Sequence, residues 1–312
     1  MANADTDSIQ INAKSISIVS ALSIAYLLVS WLLVGYKSDQ LVLIGIFNVL
    51  FYASVTTRKF ILGFTIFIVY WIIFDYMKAF PNYNYNDVAI GSLYHAEKHL
   101  FGINFNNTIL TPNEYLRLKG NAFIDVSAGL FYLCWIPVPL AFAAFLFFRN
   151  KKQFIRFAMT FVLVNLLGFI VYYAYPAAPP WYIQVHGFKF QPLTQGNMAG
   201  LARFDQFFNI NLFKSIYAKG SNVFAAMPSL HSSYPVIVLY YGVKNRLGII
   251  NLFFGIVMLG IWFTAVYASH HYVLDVLAGI LTATTGIVLF NMIIASSTPF
   301  QKFLNRYERL IR

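Results

Sequence analysis

A chain of 312 residues that is 59% hydrophobic and 11% charged carries more apolar side chain than a soluble domain of that size can bury. Its apolar runs are continuous and lack period-two alternation, which excludes a β-barrel. The net charge of +11 reads first as the Lys/Arg bias of membrane loops, not as a nucleic-acid surface. The one cysteine, Cys134, excludes an internal disulfide and argues against a cysteine metal site. The expected class is all-α: a polytopic membrane helix bundle.

Residues 1–14 are polar and are expected to fray. The apolar run that follows has no clean signal-peptide pattern and is kept as a membrane helix. Eight runs are candidate spans: 15–34, 40–56, 60–77, 123–148, 154–175, 231–243, 248–268 and 271–295. The sixth is short for a full crossing and must draw on flanking residues. Four segments follow from these runs: N-terminal helices over 1–77, an outward loop over 78–122, core helices over 123–298 with a loop at 176–230, and a basic tail over 299–312.

Lys and Arg orient the bundle. The dense, short-looped set holds Lys14, Arg58, Lys59, Arg149, Lys151, Lys152, Arg156, Lys244, Arg246 and the basic tail, and is read as cytoplasmic. Loops 78–122 and 176–230 and the turn at 268–271 then face the non-cytoplasmic side. Within the first loop, Thr111-Pro112-Asn113-Glu114 predicts a capping box with Pro at the first helical position. The stretch Leu93–Phe101 predicts an interfacial helix with Leu93, Ala96, Leu100 and Phe101 on its apolar side. His95 and His99 lie four apart on it, but no third ligand has usable spacing, so they read as surface residues and no metal is expected.

The second loop opens with Tyr175-Pro176-Ala177-Ala178-Pro179-Pro180-Trp181-Tyr182, where three prolines end a helix. Trp181 is read as a headgroup-belt anchor or a substrate contact. Further along, Gly200-Leu201-Ala202-Arg203-Phe204-Asp205 offers Arg203, read as a surface pair with Asp205 or as an anion ligand. Asp75 is expected to pair with Lys78, and Asn165 to make an interhelical hydrogen bond; Asp125 has no assigned role.

Two short stretches carry the chemistry. In Ser269-His270-His271-Tyr272-Val273-Leu274-Asp275, a helix places His271 and Asp275 on one face, one turn apart, and turns His270 about 140° away from Asp275. An aspartate inside an apolar helix costs about 3 kcal/mol near its centre and needs a partner, which His271 supplies. In Pro228-Ser229-Leu230-His231, Pro228 suits a first helical turn and Ser229 adds a donor beside helix amides that attract anions. Forty residues separate His231 from His271, enough to cross and return, so the two imidazoles are expected on one side across a phosphate-sized gap. This is a metal-free phosphoryl-transfer set. His271 attacks phosphorus, Asp275 fixes its tautomer, and His231 moves the proton.

Pro-Ser-Leu-His followed by His-His-Tyr-x-x-Asp resembles the type 2 phosphatidic acid phosphatase superfamily. The Tyr-Pro-Ala-Ala-Pro-Pro-Trp and Gly-Leu-Ala-Arg-Phe-Asp stretches are similar to its inositol phosphorylceramide synthase branch. The resemblance covers roughly residues 90–290. It implies a six-helix catalytic core and a phosphohistidine on His271, with Asp275 and His231 in the roles above. The superfamily's phosphatases carry an arginine six residues before the nucleophile, where this chain has Ala265, and their Lys-x6-Arg-Pro motif is absent as such. That departure favours the transferase branch, and it moves the phosphate-holding role to Arg203 and Lys219. The expected function is transfer of a phosphorylated headgroup, most simply inositol phosphate, from a phospholipid to a ceramide-like lipid, with no cofactor. A lipid or isoprenoid-diphosphate phosphatase using the same residues is one alternative, and a non-enzymatic transporter or scaffold is another.

Overall fold

The computed structural model describes residues 11–220 and 222–312; the expectation for residues 1–10 lies outside these. Helices dominate. α1 (Ala13–Val34), α2 (Ser38–Ala53) and α3 (Val55–Tyr76) come first, and Asn12 and Ser54 cap α1 and α3 with side-chain oxygens. Then come α4 (Gly91–Phe101), a hairpin of β1 (Ile103–Phe105) and β2 (Thr108–Leu110), α5 (Pro112–Leu118), α6 (Ala122–Leu133), α7 (Pro137–Arg149) and α8 (Lys151–Ala174). The long loop holds α9 (Pro180–His186), α10 (Ala202–Phe208) and α11 (Leu212–Ala218). α12 (Leu230–Lys244), α13 (Ile250–Tyr267), α14 (Val273–Ser296) and α15 (Thr298–Ile311) complete the chain.

All eight expected runs are helical. Among the described residues, six segments are long and apolar enough to cross a membrane: Ala13–Val34, Val55–Ala79, Ala122–Arg149, Lys151–Ala174, Ile250–Tyr267 and Val273–Ser296. α2 and α12, of 16 and 15 residues, are shorter. The chain is an all-α, multi-pass membrane protein.

The run expected at 123–148 is not one regular helix. Pro137 has no N–H to continue the ladder, and the chain turns through residues 134–136 between α6 and α7. The hairpin was not expected from sequence. Asn106 and Asn107 both take positive φ, 50° and 61°, the conformation a two-residue hairpin turn needs. Over α5, the Glu114 carboxylate accepts the Thr111 N–H at 2.8 Å, as the capping-box spacing predicts.

Two compact units emerge. Among the described residues, the first comprises 11–79, 144–159 and 292–312. Its interior is aromatic: Phe64 stacks on Phe154 at 5.4 Å and Phe60 meets Phe147 edge-on at 5.2 Å. Gly63 allows this, because a Cβ there would lie 2.8 Å from the Phe147 ring. Asp75 pairs with Lys78 at 2.7 Å, as expected. The basic tail forms α15, whose Leu304, Glu308 and Ile311 make a buried stripe.

The second unit comprises 80–143 and 160–291 and holds every residue expected to do chemistry. Asn165 accepts the Tyr234 hydroxyl at 2.7 Å, tying α8 to α12. The proline-rich segment acts through its backbone. Ala177 donates to Phe224 O at 2.9 Å and accepts from Ala226, while Ala178 donates to Ala89 O. Three loops are thereby stitched together beneath residues 224–226.

Candidate active site

His271 does not sit on a helix. α14 starts at Val273, and His270 and His271 both donate their backbone N–H to Ala265 O, at 3.1 and 2.9 Å. Ser269 makes the preceding reversal with φ of 60°. The expected helical register between His271 and Asp275 is therefore absent, yet the side chains still meet: His271 Nδ1 lies 3.6 Å from Asp275 Oδ2. That is beyond a hydrogen bond. The closer partner of Nδ1 is the Ala226 carbonyl, at 3.0 Å. A carbonyl can only accept, so Nδ1 carries the proton and Nε2 keeps its lone pair. The Ala226 carbonyl, not Asp275, is the hydrogen-bond partner that selects this tautomer.

Asp275 is fully buried, and its Oδ2 accepts the Tyr272 N–H at 2.8 Å, one turn before it. Its Oδ1 has no partner among the described residues. The carboxyl group thus caps its own helix and lies beside the His271 ring.

His231 is half-buried in the first turn of α12, behind the N-cap Ser229. Its Nδ1 is 3.1 Å from His271 Nε2. The rings are in hydrogen-bond contact, not separated by a phosphate-sized gap, because α12 and α14 approach closely. Gly279 permits the approach: a Cβ there would overlap Ser229 O, and Ser233 donates to Gly279 O at 2.7 Å. With His271 Nε2 as acceptor, His231 Nδ1 is the donor. Trp135, in the break between α6 and α7, sets its ring edge-on to His231 at 4.3 Å. The Tyr132 hydroxyl lies 3.3 Å from His231 Nδ1.

His231, His271, Tyr132 and Ala226 line a cavity of about 130 Å³ that also includes Trp181, Asn197, Tyr217, Asn222 and His270. Trp181 is buried there and donates its backbone N–H to Ser269 O. His270 stacks on Tyr217 at 4.6 Å and on Tyr132 at 5.5 Å, and its Nε2 lies 3.1 Å from Met198 O. Burial, with His271 next to it, pushes the His270 imidazole down to about 3, against the raising effect of Met198 O. His270 is a neutral wall residue. Asn222 Nδ2 is buried without a partner among the described residues.

The other expected ligands lie elsewhere. Ser229 is fully buried, accepting from the Ser232 N–H and hydroxyl. Pro228 precedes the helix instead of opening it, since Ser229 is the N-cap. Arg203 pairs with Asp125 at 2.8 Å, not with Asp205, and lies over the Tyr267 ring. Asp205 instead accepts the N–H groups of Phe213 and Lys214 at the start of α11. Lys219 is exposed at the end of α11. Neither Arg203 nor Lys219 lines the cavity.

Glu97 is the residue sequence reasoning passed over. Its carboxylate is fully buried and accepts the N–H groups of Val273 and Leu274 at 2.9 and 3.1 Å. These are the first two residues of α14, whose amides have no intrahelical acceptor. Burial raises the Glu97 pKa, and the two N–H donors oppose that rise. The signal was an acid placed four residues after Leu93. Leu93 and Glu97 are the buried face of α4, while Leu100, expected on the apolar side, is 61% exposed.

The family model for the PAP2 superfamily matches residues 106–289, which include both histidines and Asp275. The chain belongs to the PAP2 superfamily. Among its relatives, this PAP2 chain is 43% identical over 290 residues to the phosphoinositol dihydroceramide synthase of Bacteroides thetaiotaomicron, covering 92% of this chain and 95% of that one. It is 29% identical over 244 residues to the inositol phosphorylceramide synthase catalytic subunit of Saccharomyces cerevisiae, covering 75% and 59%. The inositol phosphorylceramide synthase of Candida albicans is 27% identical over 191 residues, covering 60% and 38%. No solved structure matches this PAP2 chain.

Proposed function

We propose that this membrane protein is a phosphotransferase that moves inositol phosphate from a glycerophospholipid to the hydroxyl of a ceramide-like lipid, through a phosphohistidine on His271. The single observation that carries the chemistry is the pairing of His271 Nε2 with His231 Nδ1 at 3.1 Å, with Nδ1 of His271 turned to a carbonyl. The relatives named above support the choice of lipids.

The His271 Nε2 lone pair attacks phosphorus, and the bond from phosphorus to the diacylglycerol oxygen breaks. His231 gives its Nδ1 proton to that oxygen. The phospho-imidazole carries a positive charge beside the Asp275 carboxylate. The acceptor hydroxyl then attacks phosphorus, its proton passes to His231, and the nitrogen–phosphorus bond breaks. The cavity lining holds no Lys or Arg among the described residues, so neutral donors must meet the headgroup, and the unpartnered Asn222 Nδ2 is placed for this. The Lys/Arg distribution supports chemistry on the non-cytoplasmic face.

Purified protein given phosphatidylinositol labelled in its headgroup, with and without ceramide, tests this reading. Labelled ceramide product only in the second tube is expected. Free inositol phosphate in both tubes, with no ceramide product, makes the protein a hydrolase.

A further inference from the structure

A second polar cavity, of about 200 Å³, lies within the first unit and shares no residue with the histidine site. One wall is the first turns of α8, where Lys152, Ile155 and Arg156 share a face at i, i+3 and i+4. The other wall is α15, which presents Leu304, Asn305 and Glu308. Lys152 and Arg156 make no hydrogen bond or ion pair among the described residues, and neither does the Asn305 side chain. The one acid in the lining, Glu308, is already paired with Arg312 at 2.6 Å. Lys152 and Asn305 are exposed and Arg156 is half-buried, so water reaches both like charges, which stand on adjacent turns of α8.

The position favours an anion further. Lys152 stands in the first turn of α8, where the helix dipole is positive, and Arg156 in the second. At roughly 30 Å³ per water, the cavity has room for a group of several heavy atoms. Its remaining walls are the apolar Ile155, Ile294 and Leu304 and the polar Gln301, whose amide nitrogen donates to Ile294 O. α15 also exposes Phe303 and Leu310 beside the basic residues Lys302, Arg306 and Arg309, the composition of a helix lying at a lipid headgroup layer.

We propose that this cavity binds a phosphate-bearing anion, held by Lys152, Arg156 and the Asn305 amide. A phospholipid headgroup and free phosphate offer the same chemistry, and the test separates them. The full-length protein in neutral detergent is titrated with phosphatidylglycerol, with phosphatidylcholine and with inorganic phosphate, and bound species are counted by native mass spectrometry. The comparison is with Lys152→Ala/Arg156→Ala and with Lys302→Ala/Arg309→Ala, which removes equal charge outside the cavity. Losing two charge-assisted contacts is expected to weaken phosphatidylglycerol retention at least about tenfold in the first variant, and to leave it near wild type in the second. Retention of inorganic phosphate alone, dependent on Lys152 and Arg156, assigns the site to the free anion. Equal retention of every probe by wild type and both variants overturns the site. Should the cavity double variant not fold, Asn305→Leu, which fills the cavity and keeps both charges, is expected to show the same loss.

Discussion

The Glu97 carboxylate lies 2.9 Å from the Val273 amide nitrogen and so fastens α4 to the segment that carries His271. Val273 and Leu274 open α14, and their N–H groups would be buried without acceptors if Glu97 were removed. Glu97→Gln replaces one acceptor oxygen with an amide NH2 that faces a donor. It is expected to cost about 1–3 kcal/mol of stability and, on the proposed role of His271, to lower kcat more than it raises KM, because His271 loses its fixed position. Thermal unfolding in detergent and steady-state kinetics check both effects.

Gly279 sets the distance between the two histidines. A methyl group there overlaps Ser229 O and pushes the start of α12, with His231, away from His271. Gly279→Ala should lower turnover by roughly 100-fold, the scale expected for a displacement of about 1 Å at a reacting pair. Gly255→Ala, where the added Cβ meets nothing within 4 Å, should leave turnover near wild type.

His270 predicts a pH dependence of stability. Its folded value of about 3 lies below the ordinary value near 6.5, so the unfolded chain binds more protons between them. The contribution of His270 is complete above about pH 6.5 and is lost as pH falls toward 3. The unfolding midpoint should therefore drop from pH 7 to pH 5. His270→Phe, which keeps an aromatic ring against Tyr217, should flatten that drop, as unfolding scans at fixed rate would read.

Arg203 tests a role assigned from sequence. It is engaged with Asp125 and Tyr267 in the structure, so Arg203→Ala should destabilise by about 1–2 kcal/mol, less than a fully buried pair because both side chains are partly exposed. Arg203→Met with Asp125→Asn should recover much of that loss. A rise in KM from Arg203→Ala that Asp125→Asn does not share would return Arg203 to the phosphate.

Sequence periodicity located the helical runs, and the Thr111–Glu114 spacing located the start of a short helix, because both signals are local. That His231 and His271 come together was legible because the forty residues between them cross and return, whereas the helical register expected between His271 and Asp275 is absent. What the sequence hid was carried by backbone. The Ala226 carbonyl that orients His271 has no side-chain signature, and α14 starts two residues later than its apolar run suggests because Ser269 reverses the chain. Glu97 caps a helix 176 residues away, a contact no window of sequence contains. Arg203 passes over its neighbour Asp205 for Asp125 because Asp205 is committed to the start of α11.

The central claim is a covalent phosphorus–nitrogen bond at His271. Rapid quenching of the enzyme with headgroup-labelled phosphatidylinositol and no acceptor lipid, followed by peptide mass spectrometry under alkaline conditions, reads that bond directly. Acid-labile inositol phosphate on His271, discharged on adding ceramide and absent from His271→Ala, is the predicted result. Label on His231 instead, or turnover without any labelled peptide, would contradict it.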